Sequence, residues 1–557
     1  MFNVSNVNRQ RSFSGFLIAG AIALVVIAIA GLYWLFAKSP ANLITSTSQP
    51  SAAIFVSKLA PATVSLLVNP DRLQALEGKG ELSKLKTSLF AKSGIDYQQD
   101  VQPWLGNEIT LAVTSLDVDR DPENGKQLGY LMALATDKPQ KSSEFLELLF
   151  SKRALAGANL AVEQYKGAKL IYDDSQPEQD SLAGAVVDGF VLFANDPKVL
   201  RDAINNVQAP DLNLISSPQY QKATKQLPKT ALAVAFLNLP TIAQWQNLKL
   251  TEPTYDSEII SLTLNPKGLL AETSFLTSSE IVPTSSPLTK PVGALQYIPT
   301  SSGLVIAGAD LKNLGNSDLA QLFKQGKTAI SGSQTDIISR LTQPLADLEK
   351  SQGINLVEDI FKWVQGEYAI ALLPRQGQTT PDWLFVVEKS ESVAEGISHL
   401  DAIASSQGLT NSSLTFDEQK IAAWTELITA PKQTNPQDRP NFTVEAQVKG
   451  VHTTLENYEV FASNIETIYE VLKDKNNSVI DNDNFKTSIA AIPLPNQGYV
   501  YLDWEKSQVL VERQLPILKL IEVVGKPFFN NLRSLTFSSY GSEPGATKGG
   551  IFFTFAH

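Results

Sequence analysis

The sequence predicts an α+β chain: a single N-terminal transmembrane helix followed by two similar, mainly antiparallel α+β domains related by internal duplication. Three observations predict it. Ser12 to Ala37 holds no charged side chain, whereas the remainder of the 557 residues has the mixed composition of a water-soluble body. Blocks of sequence recur in the same order in the two halves. Strand patterns follow strand patterns with only occasional helices between, which favours a mainly antiparallel sheet.

The anchor comes first. About 20 apolar residues cross the hydrocarbon layer as a helix, and FSGFLIAGAIALVVIAIAGLYWLFA meets that length, with Tyr33 and Trp34 where an interfacial aromatic belt falls. Arg9 and Arg11 precede the run and only Lys38 follows it, so the positive-inside bias puts residues 1–11 in the cytoplasm and the body outside it. A cleaved signal peptide needs a shorter apolar core, about 7–15 residues, and a small-x-small cleavage site. Ser39-Pro40-Ala41 fits that poorly, with a proline inside it and Leu35 and Phe36 just upstream. Residues 38–53 are then a tether, too polar and too broken for a helix.

The repeat divides the body into 54–276 and 294–557, joined by a Ser- and Pro-rich linker at 277–293. GIDYQQDVQPWLGNEITLAV from Gly94 matches GINLVEDIFKWVQGEYAIAL from Gly353 at six ungapped positions, all at an offset of 259, including Trp104 with Trp363 and Glu108 with Glu367. Three further blocks follow in register. GFVLFANDPKVLRDAI from Gly189 resembles NYEVFASNIETIYEVL from Asn457, the segment from Tyr220 resembles that from Phe485, and the segment from Ile260 resembles that from Arg533. Coincidence does not preserve order.

Within each copy, Thr63 to Val68, Ile109 to Val113 and Leu128 to Ala135 read as strands. Asp196 caps and Pro197 opens a helix with Leu200, Ala203, Ile204 and Val207 on one face. In the second copy Ser463 and Glu466 have capping-box spacing before the stripe Ile465, Ile468, Tyr469, Leu472. Helices are also expected over Ser142 to Leu155, Ser317 to Gln325 and Ser392 to Ser405, and Thr429 to Asn441 reads as a long surface loop.

The ordered repeat, the anchor and the PATVSLLVNPDRL stretch at Pro61 to Leu73 together resemble a cyanobacterial family of membrane-anchored proteins built on a domain of unknown function, present here as two tandem copies. The resemblance implies an extracytoplasmic body on the plasma or thylakoid membrane and implies no reaction.

Composition narrows the chemistry. Net charge is −11, or −14 once Arg9, Arg11 and Lys38 are set aside, and the basic residues form no stripe, which excludes nucleic-acid binding. With no cysteine, disulfides, thiolate metal sites and cysteine nucleophiles are excluded. The three histidines, His399, His452 and His557, show no paired ligand spacing. Gly326-Lys327-Thr328 lacks the glycine a phosphate loop needs five places earlier, where Gln321 stands. Gly396-Ile397-Ser398-His399-Leu400 starts like a nucleophile elbow but ends on leucine within a helical pattern. Asp117, Asp119 and Asp121 imitate the first half of a calcium loop, yet its glycine position is Pro122 and its closing glutamate position is Leu128. That leaves a weak calcium candidate beside a solvated hairpin turn. The Trp104/Glu108 and Trp363/Glu367 pairs offer a sugar-binding platform or, more simply, core anchors.

No cofactor, resident metal or catalytic residue is expected. The reading is a single-pass, non-enzymatic membrane protein that contacts a protein partner outside the cytoplasm as a scaffold or assembly factor. A carrier for an apolar ligand such as a lipid or pigment is the alternative, and a carboxylate-dependent hydrolase ranks third.

Overall fold

The computed structural model describes residues 49–69, 97–123, 127–173, 182–246, 255–278, 287–312, 354–431, 442–473, 477–514 and 526–556, less a few single positions. The expected anchor at 12–37, the expected helix at 317–325, Gly326-Lys327-Thr328 and His557 lie outside them. Among the described residues no helix is long and apolar enough to cross a membrane.

The first half contributes β1 (Ala62–Leu66), β2 (Leu105–Ser115), β3 (Gly129–Thr136), β4 (Leu160–Tyr165), β5 (Ala168–Asp173), β6 (Ala183–Val187), β7 (Phe190–Ala194), β8 (Ala231–Asn238), β9 (Ser257–Asn265) and β10 (Gly268–Leu276). The second contributes β11 (Leu304–Ala309), β12 (Glu367–Leu373), β13 (Asp382–Glu388), β14 (Thr410–Phe416), β15 (Gln419–Pro431), β16 (Phe442–Leu455), β17 (Tyr458–Ala462), β18 (Tyr499–Asp503), β19 (Leu532–Glu543) and β20 (Ala546–Phe555). Every pairing is antiparallel, and spatial order runs β4-β5-β6-β7-β3-β2-β1-β8-β9-β10 across the first half. Across the second half it runs β14-β15-β16-β17-β13-β12-β11-β18-β19-β20, the same sequence of strands.

The expected fold class is corrected here. The halves are not two separate α+β domains, because β10 pairs with β20 from Gly268↔Thr554 to Leu276↔Ala546 and joins everything into one 20-stranded sheet. The physical reason is the edge: the last strand of each half would otherwise present a long row of unpaired backbone groups, and pairing the two removes both. A core of Ala233, Leu262 and Leu269 with Leu304, Leu502, Leu532 and Phe555 spans the seam. The linker is anchored at each end, Thr277 N–H donating to Gly545 O (3.1 Å) and Leu288 N–H to Asn496 O (2.6 Å).

Helices α1 (Pro139–Leu155), α2 (Pro197–Gln208), α3 (Pro218–Thr224), α4 (Leu239–Gln246), α5 (Glu391–Ser406), α6 (Ile465–Lys473), α7 (Asp483–Ala491), α8 (Trp504–Gln514) and α9 (Lys526–Asn531) pack on the sheet. Both faces are covered, which is why FVLFA of β7 is buried at every position. Phe190, Leu192 and Ala194 meet Val199 and Leu200 of α2, while Val191 and Phe193 meet Phe145 and Leu149 of α1. In β17, likewise, Val460 and Ala462 share a core with Ile468 of α6, and Phe461 one with Leu400 of α5.

Asp196 does cap α2, accepting from Lys198 N–H, with Pro197 in the first turn. For α6 the expected cap shifts by one residue: Asn464, not Ser463, accepts from Thr467 N–H at 2.9 Å, while the Ser463 hydroxyl accepts from Trp383 N–H. The tether ends sooner than expected, since Ser51–Phe55 forms a 3₁₀ turn that buries Ala52, Ala53 and Phe55. The loop at 429–441 narrows, because β15 runs to Pro431 and β16 starts at Phe442.

Candidate functional site

The repeated Trp/Glu pair occupies the same structural role in each half. Trp104 Nε1 donates to Asp100 O (2.7 Å) and Trp363 Nε1 to Asp359 O (2.6 Å), so each indole closes the one-turn π-helix that precedes it, Tyr97–Val101 and Leu356–Ile360. Glu108 is buried and receives Ser51 N–H and Ala52 N–H (both 2.9 Å), the Ser51 hydroxyl and the Thr110 hydroxyl (3.0 Å). It therefore caps the 3₁₀ turn at Ser51–Phe55. Glu367 does the same for the turn Gly293–Tyr297, accepting from Gly293 N–H (2.6 Å) and the Tyr458 hydroxyl (3.1 Å). Both carboxylates are engaged by donors of the fold, an arrangement that holds a turn onto the sheet.

The Asp117, Asp119 and Asp121 side chains turn back on their own loop. Asp119 accepts from Asp121 N–H (3.0 Å), Asp121 from Glu123 N–H (2.9 Å) and Asp117 from Gln127 N–H (3.3 Å). Among the described residues no group of three or more His, Cys, Asp or Glu side chains is placed to hold a metal ion.

His399 lies on α5 and its Nε2 meets Asp359 at 3.0 Å. The Asn355 N–H and then His399 hold the Asp359 carboxyl below its usual range, against the opposing effect of burial. Gly396 has a packing role, because a Cβ there would lie 2.4 Å from the Trp363 ring. His452 is stacked between Trp424 (5.2 Å) and Phe461 (5.5 Å), and its Nε2 is buried with no hydrogen-bond partner among the described residues. Burial pushes its pKa down, opposed by Glu459 and Asp401. Glu258 of β9 is also interior, accepting from the Thr273 hydroxyl (2.8 Å), and burial pushes it up to about 7.

Two features of the second half were not foreseen. The first is an apolar cleft of about 70 Å³ between α5 and the sheet, bordered by Trp363, Trp383, Trp424, Phe385, Phe461 and Ala404. Its sequence signal is the concentration of aromatic residues on alternate positions, Trp383 with Phe385 being the clearest. The second is an arm. β14 pairs with β15 only up to Thr425, and β17 pairs with β16 only from Val451. Glu426–Pro431 and Phe442–Gln447 therefore pair with each other alone among the described residues. Leu427 and Val444, on one face of this ribbon, are 59% and 69% exposed.

The fold and site thus define an antiparallel, helix-covered sheet whose repeated polar residues are spent on its own turns. The chain belongs to the DUF3352 family, described as proteins of unknown function, whose model matches residues 17–555. No curated protein matches it. Among solved structures it is similar to one described as "Structure of crystal form I of TP0453", at 9% identity and a TM-score of 0.25, covering 42% of this chain and 81% of that one. So slight a likeness carries no argument.

Proposed function

We propose that this protein is a membrane-anchored, non-enzymatic docking protein whose body lies outside the cytoplasm and contacts a protein partner during the assembly or maintenance of a complex. The observation that carries the reading is the arm. Two-stranded ribbons are marginal in water, and natural sheets shield their open edges with charge, proline or bulges. Among the described residues the outer edges of this ribbon pair with no other strand, and although Glu426, Glu445 and the bulge at Lys449 shield them in part, Leu427 and Val444 stand in solvent, which suits addition of a partner's strand. Among the described residues the first half shows no equivalent extension, β5 and β6 being six and five residues long against 13 and 14 for β15 and β16.

The uncharged run at 12–37 supports membrane attachment, plasma or thylakoid, and the shared strand order of the halves supports descent from two tandem copies of one unit, as in the cyanobacterial family the sequence resembles. A carrier role would need a larger cavity than this cleft, since about 70 Å³ is well below the roughly 300–1,000 Å³ of small-molecule sites. Mild-detergent purification of the full chain tests the reading: a partner should co-purify stoichiometrically with the native protein and be lost with Val444→Asp. Repeated recovery of the native chain alone would remove it. Protease added to sealed spheroplasts tests the topology, with digestion of the body expected for a plasma-membrane location.

A further inference from the structure

We infer that the cleft under α5 receives an aromatic side chain of the protein that docks on the arm, an inference that rests on the docking reading above. The two halves build the same framework here and fill it differently. In the first half α1 turns Phe145, Leu146, Leu149 and Phe150 onto the strands. Gly184, opposite Phe193 in the ladder, leaves room for them: a Cβ there would lie 2.7 Å from Leu146 Cδ1 and 2.8 Å from Phe150 Cε2. The Arg153–Asp173 ion pair, at 2.9 Å, links the C-terminal end of α1 to β5.

In the second half the ladder position opposite Phe461 is His452, and α5 buries Val393, Gly396, Leu400 and Ala404 in place of phenylalanines. The buried face of the helix supplies no ring, and Gln407 and Trp424 border an open space. That space is continuous with the arm. Trp424 and Gly450, which border it, pair with each other at the ribbon's base, where the ladder bulges at Lys449. Lys449 is neutralised by Glu426 (3.0 Å) and also donates to Gln447 (3.0 Å), so the mouth requires no charged ligand.

Size and lining select the occupant. A cleft of about 70 Å³ is smaller than the ~150 Å³ enclosed cavity that takes up a whole benzene, so it admits the edge of a single ring inserted part-way and not a lipid or pigment. Indole and phenyl walls favour offset or edge contacts with another ring. A partner strand laid along the ribbon would carry such a ring to the cleft as a buried anchor, the usual form of an interface hot spot.

The test uses the full chain in mild detergent and ¹⁹F NMR of N-acetyl-4-fluorophenylalanine amide. The native protein should broaden the probe line saturably, and Ala404→Phe, which supplies the ring from the helix, should weaken binding at least tenfold. Gln407→Trp, which closes the mouth, should do the same and serves if the first variant does not fold. A tenfold excess of N-acetyl-leucine amide should leave the bound probe in place. No saturable broadening, equal broadening by the folded filled variants, or displacement by the leucine amide would overturn the assignment. Tenfold tighter binding of free 4-fluorotoluene would also overturn it, giving the cleft to a small molecule. Val444→Asp should lose the partner and still bind the probe; a native chain that binds the probe but recovers no partner removes the docking reading alone, and one that co-purifies a partner but does not bind the probe removes the cleft alone.

Discussion

Glu108→Ala should be among the most destabilising single substitutions outside the apolar cores. The carboxylate is 2% exposed and receives two backbone N–H groups at 2.9 Å and the Thr110 hydroxyl at 3.0 Å, besides the Ser51 hydroxyl. Hydrogen bonds to a charged group contribute about 1.5–3 kcal/mol each, and a buried donor left unmade costs about 1–3 kcal/mol. Water entering the truncated site recovers part of this, which leaves a net loss of about 3–5 kcal/mol. For a body of this size the unfolding entropy is about 1 kcal/mol/K, so the midpoint should fall by roughly 3–5 °C. Near-UV circular dichroism of the full chain, heated in mild detergent, reads this directly. Glu108→Gln keeps one acceptor oxygen but turns an amide donor toward backbone donors, and should fall between. If Glu108→Ala melts within 1 °C of the native chain, the carboxylate is not holding the Ser51–Phe55 turn and the capping account is wrong.

Glu367→Ala should cost less, about 1–2 kcal/mol, because Glu367 is only half-buried and accepts one backbone N–H and the Tyr458 hydroxyl; a loss equal to that of Glu108→Ala would contradict the burial argument. His452 is held below its ordinary pKa of 6.5 by burial, so its contribution to stability should be intact above about pH 6.5 and erode as pH falls below it. His452→Phe should flatten that slope, and an unchanged pH profile would exclude His452 as its source. Glu258 is raised from 4.5 to about 7, so stability should decline as pH rises from about 4.5 to about 7 and then level off. Glu258→Gln should consequently raise the midpoint at pH 8 and leave it nearly unchanged at pH 4, where protonated Glu258 already resembles it. Gly268→Ala places a Cβ 2.1 Å from Phe553 O in β20 and should cost at least about 2 kcal/mol; full tolerance in thermal melts would argue against the β10–β20 seam.

The elements that were legible in the sequence are those specified by neighbours in the chain. Asp196 before Pro197 marks the start of α2 because the cap needs only a side-chain oxygen two residues from a free N–H. Ser142 to Leu155 and Ser392 to Ser405 fall inside α1 and α5 for the same reason of local periodicity. The matched Trp and Glu residues were visible as a pair, but their partners lie 56 to 74 positions away for Glu108 in Ala52 and for Glu367 in Gly293, beyond any local pattern. The seam was hidden more deeply. Neither GLLAETSFL of β10 nor ATKGGIFFTF of β20 carries anything that says which edge it will meet. Gly396 shows the converse hazard: its resemblance to a nucleophile elbow arises from close packing against Trp363. The arm was obscured because TAPKQTNPQDRPN reads as loop, although its first residues complete β15.

The most direct test of the docking account is site-specific photo-crosslinking in intact membranes. A photoreactive residue at Val444, 69% exposed on the arm, should give a discrete adduct with one partner, whereas the same residue at Leu155, 90% exposed at the end of α1, should give none. Equal crosslinking at both positions, or no adduct at Val444 in membranes where the protein is folded, would contradict it.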